Sequence, residues 1–207
     1  MKRGCEKPYI IIGAGGHAAV IADILQKSCC HVKGILDDAI AVGTEVLGVK
    51  VLGKADKCLD HLECLFIIGV GNNHTRKRIA QSYRLEYGVA IHPSAIIGEQ
   101  VEIGCGSVLM AGCIINPRTA IGEHCIINTG ASIDHDNKIS DFAHISPGAA
   151  LGGDVFVGSR SHIGIGACVR NNIIICDDVV VGAGSAVVKD IVESGVYLGA
   201  PAQKKST

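Results

Sequence analysis

The chain has no tryptophan, and only three phenylalanines and four tyrosines among 207 residues. Its apolar content, 48%, is aliphatic instead, and valine and isoleucine suit flat, stacked strands. An excess of charge of one sign is also missing. A formal net charge of −1 leaves no electrostatic case for nucleic acid or an anionic membrane as partner. No apolar stretch approaches the roughly 18 residues that would suggest a membrane span. The opening MKRGCEKPYIIIGAGGH starts basic but runs straight into a glycine-rich turn, so no signal peptide is expected. There are ten cysteines but no C-x-x-C pair, and Cys29 and Cys30 are adjacent. A disulfide framework or zinc knot is therefore disfavoured, and reduced thiols in a cytoplasmic protein are expected.

What the sequence does have is a repeat. From Ile91 to Val192 it divides into 17 unbroken hexapeptides, IHPSAI, IGEQVE, IGCGSV and so on, each beginning with Ile, Leu or Val. The second place is often Gly and the fifth mostly small, and Cys113 and Cys125 stand in that fifth place. A coil of short parallel strands keeps such a register because each turn buries the same aliphatic rung on the turn below. The pattern resembles the left-handed β-helix of the hexapeptide acyltransferases, in which three hexapeptides make one triangular coil. Residues 18 apart then stack on neighbouring coils, about 4.8 Å apart. No block is interrupted, so no long loop is expected to leave the prism.

Residues 1–90 have no such register and read as a small α/β domain. Tyr9–Ile12 is an apolar strand, Gly13-Ala14-Gly15-Gly16-His17 a turn, and Ala18–Gln26 a helix. Val32–Leu36 is a second strand closed by Asp37-Asp38. Cys64–Val70 is a third, followed by Gly71-Asn72-Asn73 and a helix through Thr75–Leu85. Alternating strands and helices imply a parallel sheet. Gly13-x-Gly15-x-x-Ala18 sits where glycines let a backbone approach a phosphate at a helix N-terminus. An acidic residue about 20 positions on suits a ribose or base contact. Some 90 residues are short for a whole dinucleotide unit, so a nucleotide-diphosphate site is expected rather than a nicotinamide site.

Four histidines lie in the repeats after the first block: His124, His135, His144 and His162. Histidine is the side chain whose ordinary pKa suits base chemistry near neutrality. His135 stands between Asp134 and Asp136 in IDHDNK, and a carboxylate beside an imidazole can fix its tautomer and raise its basicity. His144 and His162 are 18 apart and should stack. Gly153 is 18 after His135, where its N–H could face a thioester carbonyl. His124 reads as a solvated histidine on a prism face.

Taken together, IIGAGGHAAV, Asp37-Asp38, IGVGNNHTRKRI, the uninterrupted repeats, ASIDHDNKISDFAHISPGA and the ending GVYLGAPA resemble one family over essentially the whole chain. It is the nucleotide-sugar N-acetyltransferases of the bacillosamine and perosamine type, with the related sialic-acid O-acetyltransferases. The resemblance implies a Rossmann-like domain over residues 1–90 and a left-handed β-helix over 91–207. It implies acetyl-CoA as co-substrate without a metal, a nucleotide-linked amino sugar as acceptor for surface glycan or glycoprotein synthesis, and a homotrimer. It makes His135 the general base, Asp136 its carboxylate partner and His144 a substrate contact. Gly13, Gly15, Gly16, His17, Asp37 and Asp38 match the nucleotide-sugar end, with Asn72 and Arg76 matching more loosely. Gly153 and Ile165 match the acetyl-CoA groove. Many members have Glu where this chain has Asp136. Three other readings remain open on the residues alone: O-acetylation of a sugar hydroxyl, a zinc hydrolyase like the γ-type carbonic anhydrases, and a non-catalytic scaffold.

Overall fold

The computed structural model describes residues 6–205. The basic opening, residues 1–5, on which the signal-peptide expectation partly rests, lies outside the described residues. Two compact units follow one another, Met1–Pro93 and Ser94–Thr207.

In the first unit β1 (Tyr9–Ile12), α1 (Gly16–Lys27), β2 (Val32–Leu36), β3 (Glu45–Val46), β4 (Val49–Gly53), β5 (Leu65–Ile68) and α2 (Asn73–Ser82) form the framework. The sheet order is β3-β4-β2-β1-β5, with β1 parallel to both β2 and β5. The chain leaves β1 to one side through β2 and returns to its other side with β5. The carboxyl ends of β1 and β5 therefore flank the switch point at which open α/β sheets bind ligands. The β3–β4 hairpin and a 3₁₀ turn at Ala55–His61 were not anticipated, both being short for periodicity to reveal. α2 begins earlier than expected because Asn72 caps it, its Oδ1 accepting from the Thr75 N–H at 2.9 Å. Cys30 is disulfide-bonded, against the expectation of reduced thiols. Among the described residues the eight other cysteines are free.

The second unit is a parallel β-helix. Two-residue strands pair at a spacing of 18: Ile114 with Ser132, Ser132 with Ala150, Ala150 with Cys168 on one face. Ala120, Lys138, Phe156 and Ile174 do the same on a second, and Ile126, His144, His162 and Val180 on a third. First-place residues point inward: Ile127, Ile133, Ile145, Val157 and Ile163 are all fully buried. The fifth places from Ser107 to Ile191 are buried too, and the hydroxyls among them have hydrogen-bond partners, while the Asn137 side-chain oxygen is left without one. Ser107 Oγ donates to Gly122 O and accepts from Cys125 N, both at 2.8 Å. Second-place glycine has a steric cause, since a Cβ on Gly158 would lie 2.4 Å from the Asp177 backbone one coil on.

Each corner turns on the fourth place. Every sixth residue from Gln100 to Gly184 has positive φ, between 53° and 76°. Five of these residues, Gly112, Gly130, Gly148, Gly166 and Gly184, are glycines that line up on one corner, while the other two corners carry mostly Asp, Asn, Arg, His or Phe at this cost in strain. His124 is one of them and is not a solvated side chain. It is 3% exposed and stacks on Phe142 one coil on, with centroids 5.0 Å apart.

Because each rung is buried on both neighbours, truncating one leaves a cavity that the stacked coils cannot easily close. Ile145→Ala is expected to cost about 2–5 kcal/mol, read by denaturant unfolding. A loss below about 1 kcal/mol would be too small for a rung in a stacked core.

Candidate active site

His135 lies at the corner between the strands Ser132–Ile133 and Lys138–Ile139. Three layers of contacts set its turn. Asn116 Nδ2 donates to Asp134 Oδ1 at 2.8 Å, and the same oxygen accepts from the His135 N–H at 2.8 Å. The Asn116 contact first, then this N–H, holds the Asp134 carboxyl below its ordinary pKa. Asn137, 1% exposed, donates from Nδ2 to Asp134 O, His135 O and Gly152 O. Thr119 Oγ1 donates to Asp134 O at 2.9 Å and accepts from the Asn137 N–H. The sequence reading missed Asn137. Its signal was present, for it is the one amide among the small or aliphatic fifth places.

The imidazole has a defined partner. His135 Nδ1 lies 2.6 Å from Asp136 Oδ2. Arg118, one coil earlier, donates from Nε to Asp136 Oδ1 and from Nη2 to Oδ2, each at 2.6 Å. These contacts, Arg118 first and His135 second, bring the Asp136 pKa down to about 2, so it is a carboxylate at neutral pH. A carboxylate only accepts. Nδ1 must therefore carry a proton, which in the neutral imidazole leaves the lone pair on Nε2. The shortened side chain of Asp136 thus reaches the ring.

The far side of the ring rests on Gly153. A Cβ there would lie 2.7 Å from His135 Cε1 and 2.9 Å from Nε2, so only glycine admits the ring at this place. The pair stays half-exposed, with 53% of the His135 side chain accessible. A shallow cleft of about 340 Å³ beside it is lined by Asp136, Lys138, Asp154, Phe156, Asn172 and Ile174.

His144 and Ile165 are not on this corner. His144 begins a strand on the third face and stacks on His162, centroids 4.6 Å apart and planes 4° from parallel. Asn128 Oδ1 accepts from the Thr129 N–H, which turns Nδ2 toward His144 Nε2 at 3.0 Å. That nitrogen is then an acceptor already in use, and His144 is poorly placed to serve as a base. Ile165, 61% exposed, occupies a turn at the third corner. Among the described residues no cluster of three or more His, Cys, Asp or Glu could hold a metal ion, and no helix is long and apolar enough to cross a membrane.

In the first unit a cleft of about 320 Å³ opens at the strand ends, lined by Gly13, Asp37, Asp38, Thr75, Arg78 and Tyr83 among others. Gly13 is glycine for its own backbone's sake: its φ is +106°, and a Cβ there would lie 3.1 Å from Gly69 O. Gly15 and Gly16 differ: both are exposed, with open space above them. Gly15 caps α1 without a side-chain hydrogen bond, leaving first-turn N–H groups to solvent or an anion. Asp37 closes the turn, accepting from Ala14 N at Oδ2 and from Ala39 N and Ile40 N at Oδ1. Desolvation pushes its pKa up, but these N–H donors outweigh it and the net shift is down. Asp38 Oδ1 accepts from Ala55 N. Burial, then the charge of Arg76, lowers the His17 pKa to about 4. Arg76, expected near substrate, is 1% exposed and donates to Val70 O, Gly71 O and Asn73 Oδ1, while the Asn72 side chain serves as the helix cap. Both build the loop. Arg78 and Tyr83, which the sequence reading passed over, line the cleft further along α2 and at its end.

Residues 9–83 match the PglD N-terminal domain. The chain is 42% identical over 114 residues to UDP-N-acetylbacillosamine N-acetyltransferase of Bacillus subtilis (strain 168), a match spanning 51% of this chain and 52% of that relative. It therefore spans about half the length of this curated relative. The acetyltransferase domain of PglB from Neisseria gonorrhoeae superposes with a TM-score of 0.91 at 33% identity, covering 97% of this chain and 100% of that one. A histidine-to-asparagine mutant of perosamine N-acetyltransferase from Caulobacter crescentus, in complex with CoA and GDP-perosamine, superposes with a TM-score of 0.92 at 36% identity, covering 98% and 99%.

Gly153→Ala is expected to push the His135 ring off its seat while leaving the prism intact, because the clash is with a side-chain tip. Nitrogen NMR of the histidines should show a changed His135 environment at an unchanged thermal midpoint. An unaltered His135 signal would mean that the ring does not rest there.

Proposed function

We propose a function on one premise: the chain belongs to the family of nucleotide-sugar N-acetyltransferases, in which a PglD N-terminal domain precedes a left-handed β-helix of hexapeptide repeats. It transfers the acetyl group of acetyl-CoA to an amino group of a nucleotide-linked amino-deoxy sugar, of the UDP-4-amino-4,6-dideoxy-N-acetylglucosamine type. One observation carries the reading: an exposed imidazole whose Nδ1 is held by a carboxylate at 2.6 Å, which in the neutral ring leaves Nε2 to take a proton.

The neutral amine attacks the thioester carbonyl carbon. His135 Nε2 takes the amine proton, the C–S bond breaks, and the imidazolium returns the proton to the departing CoA sulfur. The Gly153 N–H stabilises the developing oxyanion. No covalent enzyme intermediate is needed. The acetyl-CoA arm runs past Gly153 and Ile165. The diphosphate sits on the exposed N–H groups of Gly15 and Gly16, with Asp38 at the nucleoside and Gly13, His17 and Asp37 holding the turn. Arg76 and Asn72 act through the loop they brace. A homotrimer belongs to this reading, because His135 and His144 lie on different parts of one prism and a neighbouring copy is needed for both to face one sugar. The cytoplasm is its location, in keeping with eight free cysteines.

The test is CoA thiol release from acetyl-CoA with UDP-4-amino sugars, GDP-amino sugars and free sialic acid as acceptors. Release is expected with a nucleotide-linked amine. Release with sialic acid alone would replace this reading with O-acetylation. Gly15→Val should raise KM for the nucleotide sugar and leave KM for acetyl-CoA unchanged. If both rise together, the turn is structural and the phosphate assignment fails.

A further inference from the structure

Arg118 is absent from every motif that marks the site, and it stands 17 residues before the histidine. Its guanidinium nevertheless grips both oxygens of Asp136, Nε on Oδ1 and Nη2 on Oδ2. Oδ2 is the same atom that meets His135 Nδ1. Two side chains, Arg118 and His135, thus share one carboxylate, arranged across two coils by the 18-residue stacking of Arg118 and Asp136. Both residues hold positive φ, 61° and 60°, so their side chains leave the corner in the same direction, one above the other.

A surface carboxylate with free rotation would offer His135 a partner only part of the time. A bidentate arginine fork removes that freedom, because it satisfies both oxygens in one plane. We propose that Arg118 is a positioning residue for acetyl transfer, clamping Asp136 so that it holds the His135 imidazole in its base-competent tautomer and orientation. This rests on the reading of His135 as the base.

The test is steady-state kcat and both KM values for the wild-type chain, Arg118→Met and Arg118→Lys, with thermal midpoints and the nitrogen NMR signals of the His135 ring measured alongside. Arg118→Met should lower kcat about tenfold, as loss of an orienting partner does elsewhere, leave both KM values near wild type and alter the His135 ring signals. Arg118→Lys keeps the charge without the fork, so its kcat should remain low. Wild-type kcat with unaltered His135 signals in Arg118→Met would overturn the proposal. So would a defect confined to KM for either substrate, which would make Arg118 a binding group, or a lowered midpoint with normal kinetics, which would make it structural. Wild-type turnover retained by His135→Ala would instead sink the base assignment for His135.

Discussion

The candidate active site and the whole second unit depend on one contact repeated along an axis: a residue packs on the residue 18 positions away. The aliphatic rungs bury each other, the backbone N–H and C=O groups pair between coils, and mostly small side chains fill the fifth places. The prism is therefore stiff in the direction that matters for chemistry. A side chain placed at a corner has neighbours fixed by arithmetic, one coil before and one coil after.

The candidate base uses that arithmetic four times. Asn116 reaches Asp134, Arg118 reaches Asp136, Thr119 accepts from the Asn137 N–H, and Gly153 leaves room for His135; each pair is 18 apart. The corner adds a local constraint of its own. Asp136 occupies the left-handed position, which aspartate tolerates better than most residues, and it is there that its carboxylate meets the neighbouring ring. A site of this kind needs no loop to assemble it, which agrees with repeats that run without an insertion.

The fold was legible wherever chemistry repeats. First-place Ile, Leu and Val, fifth-place small residues and second-place glycines announced the coils, and Tyr9–Ile12 with its glycine turn announced the first strand and helix. The fourth place was illegible because Gln, Arg, His, Asp, Phe and Gly all serve there, sharing a backbone angle and no side-chain property. His135, Asp136 and Gly153 could be read from adjacency and the 18-residue spacing. Arg118 could have been found by the same spacing applied backwards from Asp136. Arg76 misled for a different reason. An arginine after Gly-Asn-Asn looks like an anion contact, yet its guanidinium is the girder under the loop, and only burial reveals that. His124 looked like a surface histidine, although the same 18-residue spacing, applied forwards, places Phe142 against it.

The central claim is that one imidazole, oriented by Asp136, removes the proton from the attacking amine. Its most direct test is steady-state acetyl transfer by His135→Ala, with binding of both substrates measured independently. kcat is expected to fall by about 10²–10⁴-fold, with both affinities near wild type and the thermal midpoint unchanged, since the rung Ile133 is untouched. Retention of more than about a tenth of wild-type kcat, well short of a general-base effect, would contradict it and place the base elsewhere.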